Sequence, residues 1–368
     1  MRPASLLNAL VNVFIPSKRP VLLYSSPGLG KSSIVKQAAA ALGIGVIDLR
    51  GSLLDPVDLR GVPTIENGVT RWCAPEFLPR DGKGILFLDE LGQSAPAVQA
   101  SFLQLALDRA CGEYKLPDGW AIVAASNNSD DRAGVNKLIS PLLNRFVHID
   151  LEVSADDWQA WAAVAGIRPE VRAYIKSFPT QLNTFKAAKE SGSIREFATP
   201  RTWEFVSQLF PVTPEDDRME IFSGAVGRGV AGEFMGYLKN FEKMPDVDSV
   251  ISDPLKTRIP EDEASVMYAL IMALSAKLRD ANQTCVEADN TKNKQKLDEA
   301  TKNRARIGAA LPQYAGRFKS HEYSTLLMKE AITAWRAIHT LKEMEVWLDS
   351  PQGQALASLD DVFKSKKK

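Results

Sequence analysis

Tyr24-Ser25-Ser26-Pro27-Gly28-Leu29-Gly30-Lys31-Ser32-Ser33 lies between an apolar run at 20–24 and a helical pattern at 33–42. It matches GxxxxGK[ST], except that Ser25 stands where the first glycine of the pattern falls. Glycines let successive backbone N–H groups turn inward around phosphate oxygens, and the helix that follows aims its positive N-terminus at the same point. Lys31 supplies a point charge for β and γ phosphates, and Ser32 carries the hydroxyl that sits on Mg²⁺ in such loops. Ser26, Pro27, Gly28, Leu29, Gly30, Lys31, Ser32 and Ser33 therefore read as a phosphate loop; the competing reading is an ordinary glycine turn, which needs neither the lysine nor the flanking strand and helix.

Downstream, Gly84-Ile85-Leu86-Phe87-Leu88-Asp89-Glu90 is an apolar run ending in two carboxylates. In a nucleotide site Asp89 is placed to join the Mg²⁺ shell, and Glu90 to polarise the water that attacks the γ-phosphate.

Around these motifs, strand-like runs at 20–24, 45–49, 84–88, 120–125 and 146–149 alternate with helical stretches such as 33–42 and 96–108. That alternation predicts an α/β domain with a mainly parallel sheet. From Ser154, whose hydroxyl and following Asp157 form an N-cap pattern, helix follows helix. Three regions result: residues 1–150, 151–243 and 244–368. The stretch 244–260, with three prolines and several aspartates, reads as a linker, and the very polar 285–306 as either a solvated helix or a mobile one. The segment 326–348 reads as one more helical run, and 364–368 as a solvated basic tail.

The phosphate loop, the Leu88-Asp89-Glu90 ending, Asn127 in Val123-Ala124-Ala125-Ser126-Asn127 and Arg145 in Leu142-Leu143-Asn144-Arg145-Phe146 stand in the order and spacing of an AAA+ ATPase. The chain resembles that family over about residues 1–240. Asp89-Glu90-Leu91-Gly92-Gln93-Ser94-Ala95-Pro96, followed by a helix through Gln99, Leu103 and Leu107, is similar to the MoxR type, including relatives paired with von Willebrand factor A proteins. The resemblance implies an AAA+ P-loop domain with a parallel sheet flanked by helices, then an all-α lid, with a C-terminal helical extension beyond its reach. It implies Asn127 as the sensor 1 residue that orients the lytic water. Arg145 corresponds to the arginine finger that reaches a neighbouring subunit's γ-phosphate, a role for which Arg132 also competes. Arg201, in Ala198-Thr199-Pro200-Arg201-Thr202, corresponds to sensor 2, acting on its own subunit's nucleotide or on a neighbour's.

The function so implied is Mg²⁺-dependent ATP hydrolysis by a cytoplasmic ring, a hexamer in expectation, that remodels or activates a protein partner such as a von Willebrand factor A protein. The alternative is a nucleic-acid motor or loader of the AAA+ helicase type. Lys plus Arg and Asp plus Glu both number 45, so a globally basic nucleic-acid binder is excluded, and no DNA-binding module is recognisable. A scaffold that binds nucleotide and hydrolyses little is disfavoured by the intact Lys31, Asp89 and Glu90.

Three scattered cysteines and three scattered histidines form neither a disulfide framework nor a zinc pattern. No apolar run reaches 18 residues, so no membrane insertion is expected, and residues 3–14 read as an amphipathic helix with Leu6, Leu7, Leu10, Val11 and Phe14 on one face. Gly227-Arg228-Gly229-Val230-Ala231-Gly232 spells GxGxxG, yet no strand precedes it and it lies among helices, so its glycines read as allowing close helix packing or breaking a helix. Asn67-Gly68 between two β-prone arms, residues 60–72, predicts a hairpin. In the family an insertion here projects into the ring's channel, which would make the hairpin a client grip; the plain reading is a surface hairpin.

Overall fold

Apolar runs punctuated by turn residues become nine strands among the described residues: β1 (Val21–Ser25), β2 (Gly45–Arg50), β3 (Val62–Glu66), β4 (Val69–Cys73), β5 (Gly84–Asp89), β6 (Ala110–Cys111), β7 (Tyr114–Lys115), β8 (Trp120–Asn127) and β9 (Val147–Asp150). The computed structural model describes residues 1–128, 131, 138–192, 195–290, 294–351 and 353–354. Arg132, Ser129 and the basic tail at 364–368 lie outside them.

Five strands form one parallel sheet in the order β2-β5-β8-β1-β9, the α/β architecture expected of the alternating pattern. The three central strands, β5, β8 and β1, are apolar nearly throughout because both faces are covered, whereas the edge strands β2 and β9 are largely exposed. Alternation along them sorts side chains into two cores. Leu22, Leu86, Leu88, Ile122 and Ala124 pack with Val98, Phe102 and Leu105 of the helix Pro96–Asp108. Val21, Leu23, Ile85, Phe87, Val123 and Ala125 pack with Ile34, Val35 and Ala38 of the helix Lys31–Leu42, and with Leu6 and Leu10. The N-terminal helix starts as Pro3–Ala9 and continues as a π-helical stretch, Leu10–Phe14. Its wider turn keeps Leu7, Val11 and Phe14 partly buried against the same core.

β3 and β4 form a separate antiparallel hairpin, closed by Asn67 and Gly68 at φ 51° and 75°, the paired positive values of a type I′ turn. At its base Gly61 has φ +85°, and a Cβ there would lie 1.9 Å from the Cys73 carbonyl oxygen. Only glycine fits. A second, two-residue hairpin, β6 with β7, has no counterpart in the sequence reading because its arms are too short to carry a period.

The described chain divides into two units: Met1–Asp157 with Phe185–Ile194 and Thr199–Arg201, and a helical unit made of Trp158–Thr184, Arg195–Ala198 and the described residues from Thr202 onward. Within the helical unit, Tyr174 is the hub of an aromatic core, its ring 5.3 Å from Trp203, 5.2 Å from Phe234 and 5.5 Å from Tyr237. Of the GxGxxG stretch, Gly227 at φ +88° is the junction between the helices Arg218–Val226 and Arg228–Glu242, and residues 228–232 open the second helix. Two local readings change. The stretch read as a linker holds a helix, Val247–Ser252, whose Asp246 accepts the Ser249 N–H and hydroxyl at 2.8 and 2.9 Å. The run at 326–348 is broken at Trp335, which is extended at φ −149°, between the helix His321–Ala334 and a short 3₁₀ turn, Arg336–Thr340. Of the polar residues near 285–306, the described ones belong to two long helices, Ala264–Asn290 and Lys294–Ala315, where Cys285, Ala288 and Ala300 are buried despite their polar neighbours.

Candidate nucleotide site

Parallel strands deliver their C-terminal ends to one edge of a sheet, where open α/β folds bind ligands. Here β1 ends at Ser25, β5 at Asp89 and β8 at Asn127, with Ser25 in register with Asn127. The loop 26–30 leaves β1 and enters the helix Lys31–Leu42. Gly28 and Gly30 take φ +78° and +88°, left-handed values that side chains disfavour and that turn backbone N–H groups inward. Ser25 itself is extended, the last residue of its strand, so the position that is glycine in the general pattern needs none here.

Lys31 Nζ donates to the Ser25 carbonyl (3.1 Å), the Ser25 hydroxyl (2.9 Å) and Asn127 Oδ1 (2.9 Å). The Ser25 hydroxyl donates onward to the Ser26 carbonyl at 2.9 Å. Burial pulls the Lys31 ammonium down to about 8; Asp89 opposes the shift, Arg201 adds to it and Asp131 opposes it. A partly desolvated cation lacking a full counter-charge is suited to receive an anion.

The Ser32 hydroxyl donates to Asp89 Oδ2 at 2.8 Å. These two hard oxygen ligands suit magnesium, which binds through one or two protein groups plus substrate phosphates and water. Among the described residues no group of three or more His, Cys, Asp or Glu forms a self-sufficient metal cage. The donor set thus fits a nucleotide-borne cation.

Glu90 follows at φ +57°, a left-handed conformation that a non-glycine residue adopts at a cost. Its N–H donates to Asp89 Oδ1 at 2.9 Å, and its carboxylate accepts the hydroxyl of Ser52. Ser52 follows β2, whose Arg50 is in register with Asp89, so the pairing of β2 with β5 brings it there. Gly51 permits the close approach: a Cβ on it would meet Ser94 Oγ at 2.0 Å.

Arg201 lies in the same unit as the loop. Its backbone N–H donates to the Gly28 carbonyl at 3.3 Å, and Pro200 opens the helix that carries it, Pro200–Leu209. Thr199 packs against Gly28 so tightly that a Cβ on the glycine would lie 2.6 Å from Thr199 Oγ1. Asp131, bonded to Asn128 and paired with Lys189 at 3.5 Å, adds a carboxylate near Lys31. Arg145 follows the helix Ser140–Leu143, and its exposed guanidinium has no hydrogen bond or ion pair among the described residues. The structure thus joins Lys31 to Asn127 and Ser32 to Asp89 through side-chain hydrogen bonds and leaves Arg145 outside both pairs. Sequence reasoning missed Ser52, Thr199 and Asp131. Ser52 carries no local signal in the sequence, since only the pairing of β2 with β5 brings the residue just past β2 near Glu90.

No described helix is long and apolar enough to cross a membrane. No curated protein matches the chain. Among solved structures, the chain is similar to the Thermotoga maritima RuvB Holliday junction branch migration motor, at 17% identity and a TM-score of 0.36 over 69% of this chain and 75% of that one. It is also similar to NtrX from Brucella abortus, at 15% identity and a TM-score of 0.34 over 81% of this chain and 67% of that one. Residues 21–152 match the model of the ATPase family associated with various cellular activities (AAA). The matched span runs from the first residue of β1 to just past β9 and contains the phosphate loop, Asp89, Glu90 and Asn127, so residues 21–152 are an AAA ATPase domain and the chain is an ATP-hydrolysing enzyme.

Proposed function

We propose that the chain is a MoxR-type AAA+ ATPase that assembles as a ring, a hexamer, in the cytoplasm and uses ATP hydrolysis to remodel or activate a protein partner, with von Willebrand factor A proteins as the candidate class. The observation that carries the catalytic part is the interlocked set at the sheet edge, Lys31 with Asn127 and Ser32 with Asp89. In this reading the backbone N–H groups of residues 26–33 and the Lys31 ammonium bind the β and γ phosphates. Magnesium, when bound, is held by Ser32 and Asp89 and neutralises phosphate charge. Glu90 takes a proton from the attacking water, and Asn127 holds that water and Lys31 in place. Arg201 acts on its own subunit's nucleotide, a reading supported by its tie to Gly28. Arg145, exposed and unpaired among the described residues, suits a finger offered to a neighbour. Residues 151–243 serve as the lid and 244–368 as an extension. The β3–β4 hairpin, with Ile65 80% exposed, serves as the client grip.

The test is capture by the Glu90→Gln protein in ATP. It should bind ATP, release no phosphate, and retain a protein client identifiable by mass spectrometry. ATPase stimulation by DNA, with salt-dependent DNA binding, would instead favour the nucleic-acid motor.

A further inference from the structure

The helical unit buries a guanidinium with too few acceptors. Arg172, on the helix Pro169–Ser177, has no exposed surface. Its Nη2 donates to Glu330 Oε2, on the helix His321–Ala334, at 2.5 Å. Its Nε and Nη1 find no acceptor among the described residues. A guanidinium carries five N–H donors and does not give up its proton in proteins, so the shortfall cannot be met by neutralisation.

A second guanidinium adds to the imbalance. Arg279, on the helix Ala264–Asn290, has a buried Nη2 that also lacks a partner. Burial first, and the charge of Arg172 second, disfavour its cationic form, while Glu330 and Asp280 oppose that shift. Asp280 is exposed and Glu330 is nearly buried, so the interior end of the cluster holds two cations against one carboxylate. Nearby, Gln159 is committed through its amide N–H to the Arg172 carbonyl at 2.7 Å, and its own Oε1 lacks a partner. A water could bridge leftover donors to that oxygen, yet it would leave the excess charge in place.

We propose that Arg172 and Arg279 bind a small inorganic anion of the chloride class, through the donors that Glu330 leaves unused. Because Arg172 is wholly enclosed, the occupant must fit among packed side chains, which excludes a nucleotide or sugar phosphate. The ion would bridge two helices that are distant in sequence, tying Arg172 on Pro169–Ser177 to Arg279 on Ala264–Asn290.

The experiment compares thermal melting of the full-length protein in sodium chloride, sodium bromide and sodium gluconate at matched ionic strength. It is paired with a crystal grown in bromide. The expected result is a saturable rise in melting temperature with halide but not gluconate, and an anomalous bromide peak against the Arg172 guanidinium. Arg172→Met should lose the halide dependence. Where that variant fails to fold, Arg279→Gln, at a half-buried position, should weaken the halide response at least tenfold. Equal melting in all three salts, a water without anomalous signal at the site, or an unchanged halide response in Arg279→Gln would overturn the proposal.

Discussion

Lys31 Nζ and Asn127 Oδ1 stand 2.9 Å apart, so the cation of the phosphate loop and the amide at the end of β8 form one hydrogen-bonded unit. A residue that only oriented water would leave nucleotide affinity untouched when removed. Asn127→Ala should lower turnover and also weaken ATP binding by about tenfold, the worth of one hydrogen bond to a charged group. Titration calorimetry beside steady-state kinetics checks this, and a lowered kcat with unchanged Kd would confine Asn127 to the water.

Lys31→Ala should abolish ATP binding or weaken it severely, since the principal counter-charge to the β and γ phosphates is lost. Glu90→Gln should keep binding and lose turnover. Phosphate release by Glu90→Gln at the wild-type rate would refute the assignment of the base.

Arginine fingers are worth about 10³ to 10⁵ in rate in phosphoryl-transfer enzymes. Arg145→Ala should therefore bind nucleotide and scarcely hydrolyse it. Mixed with Lys31→Ala subunits, it should recover activity at interfaces where an intact loop meets an intact Arg145. Demonstrated subunit mixing without recovery argues against a shared site.

The β3–β4 hairpin presents Pro63, Ile65, Thr70 and Trp72 on one face, while Glu66 and Arg71 pair with each other on the opposite one. Replacing residues 65–69 by a Gly-Ser turn should spare basal ATPase and ring assembly and remove client stimulation. A lower melting temperature with full client response would mark the hairpin as a brace. Gly61→Ala, which drives a Cβ into the Cys73 carbonyl, should deform the hairpin's base and mimic the replacement.

Glu330→Leu leaves the wholly buried Arg172 without its counter-ion. Removing one partner of a buried ion pair costs about 3–5 kcal/mol, so this change should lower the denaturant midpoint of the helical unit well beyond what a surface substitution does. A midpoint equal to wild type would mean that Arg172 is neutralised by other groups.

The sheet was legible because its central strands are buried on both faces and appear as apolar runs, such as 84–88. The loop 26–33 and the pair Asp89 and Glu90 were legible because their chemistry is local in sequence. What escaped was set by tertiary approach. Ser52 reaches Glu90 only because β2 pairs with β5, and Thr199 reaches Gly28 from roughly 170 residues further along the chain. Asp246 was hidden for another reason: a six-residue helix in a proline-rich stretch has too few positions to display a period. At Trp335 the continuous helical pattern gave no warning of a break.

The placement of β1 between β8 and β9 has a consequence for biosynthesis. The earliest strand of this sheet in chain order has no partner until residues 120–127 and 147–150 are made, roughly 100 to 130 residues later. At about 5–20 residues per second that is a wait of many seconds, during which Val21, Leu22 and Leu23 stay unpaired. The strand that will bear the phosphate loop is thus the one the nascent chain must shelter longest, which makes trigger-type holdases and translation speed natural determinants of yield for this enzyme.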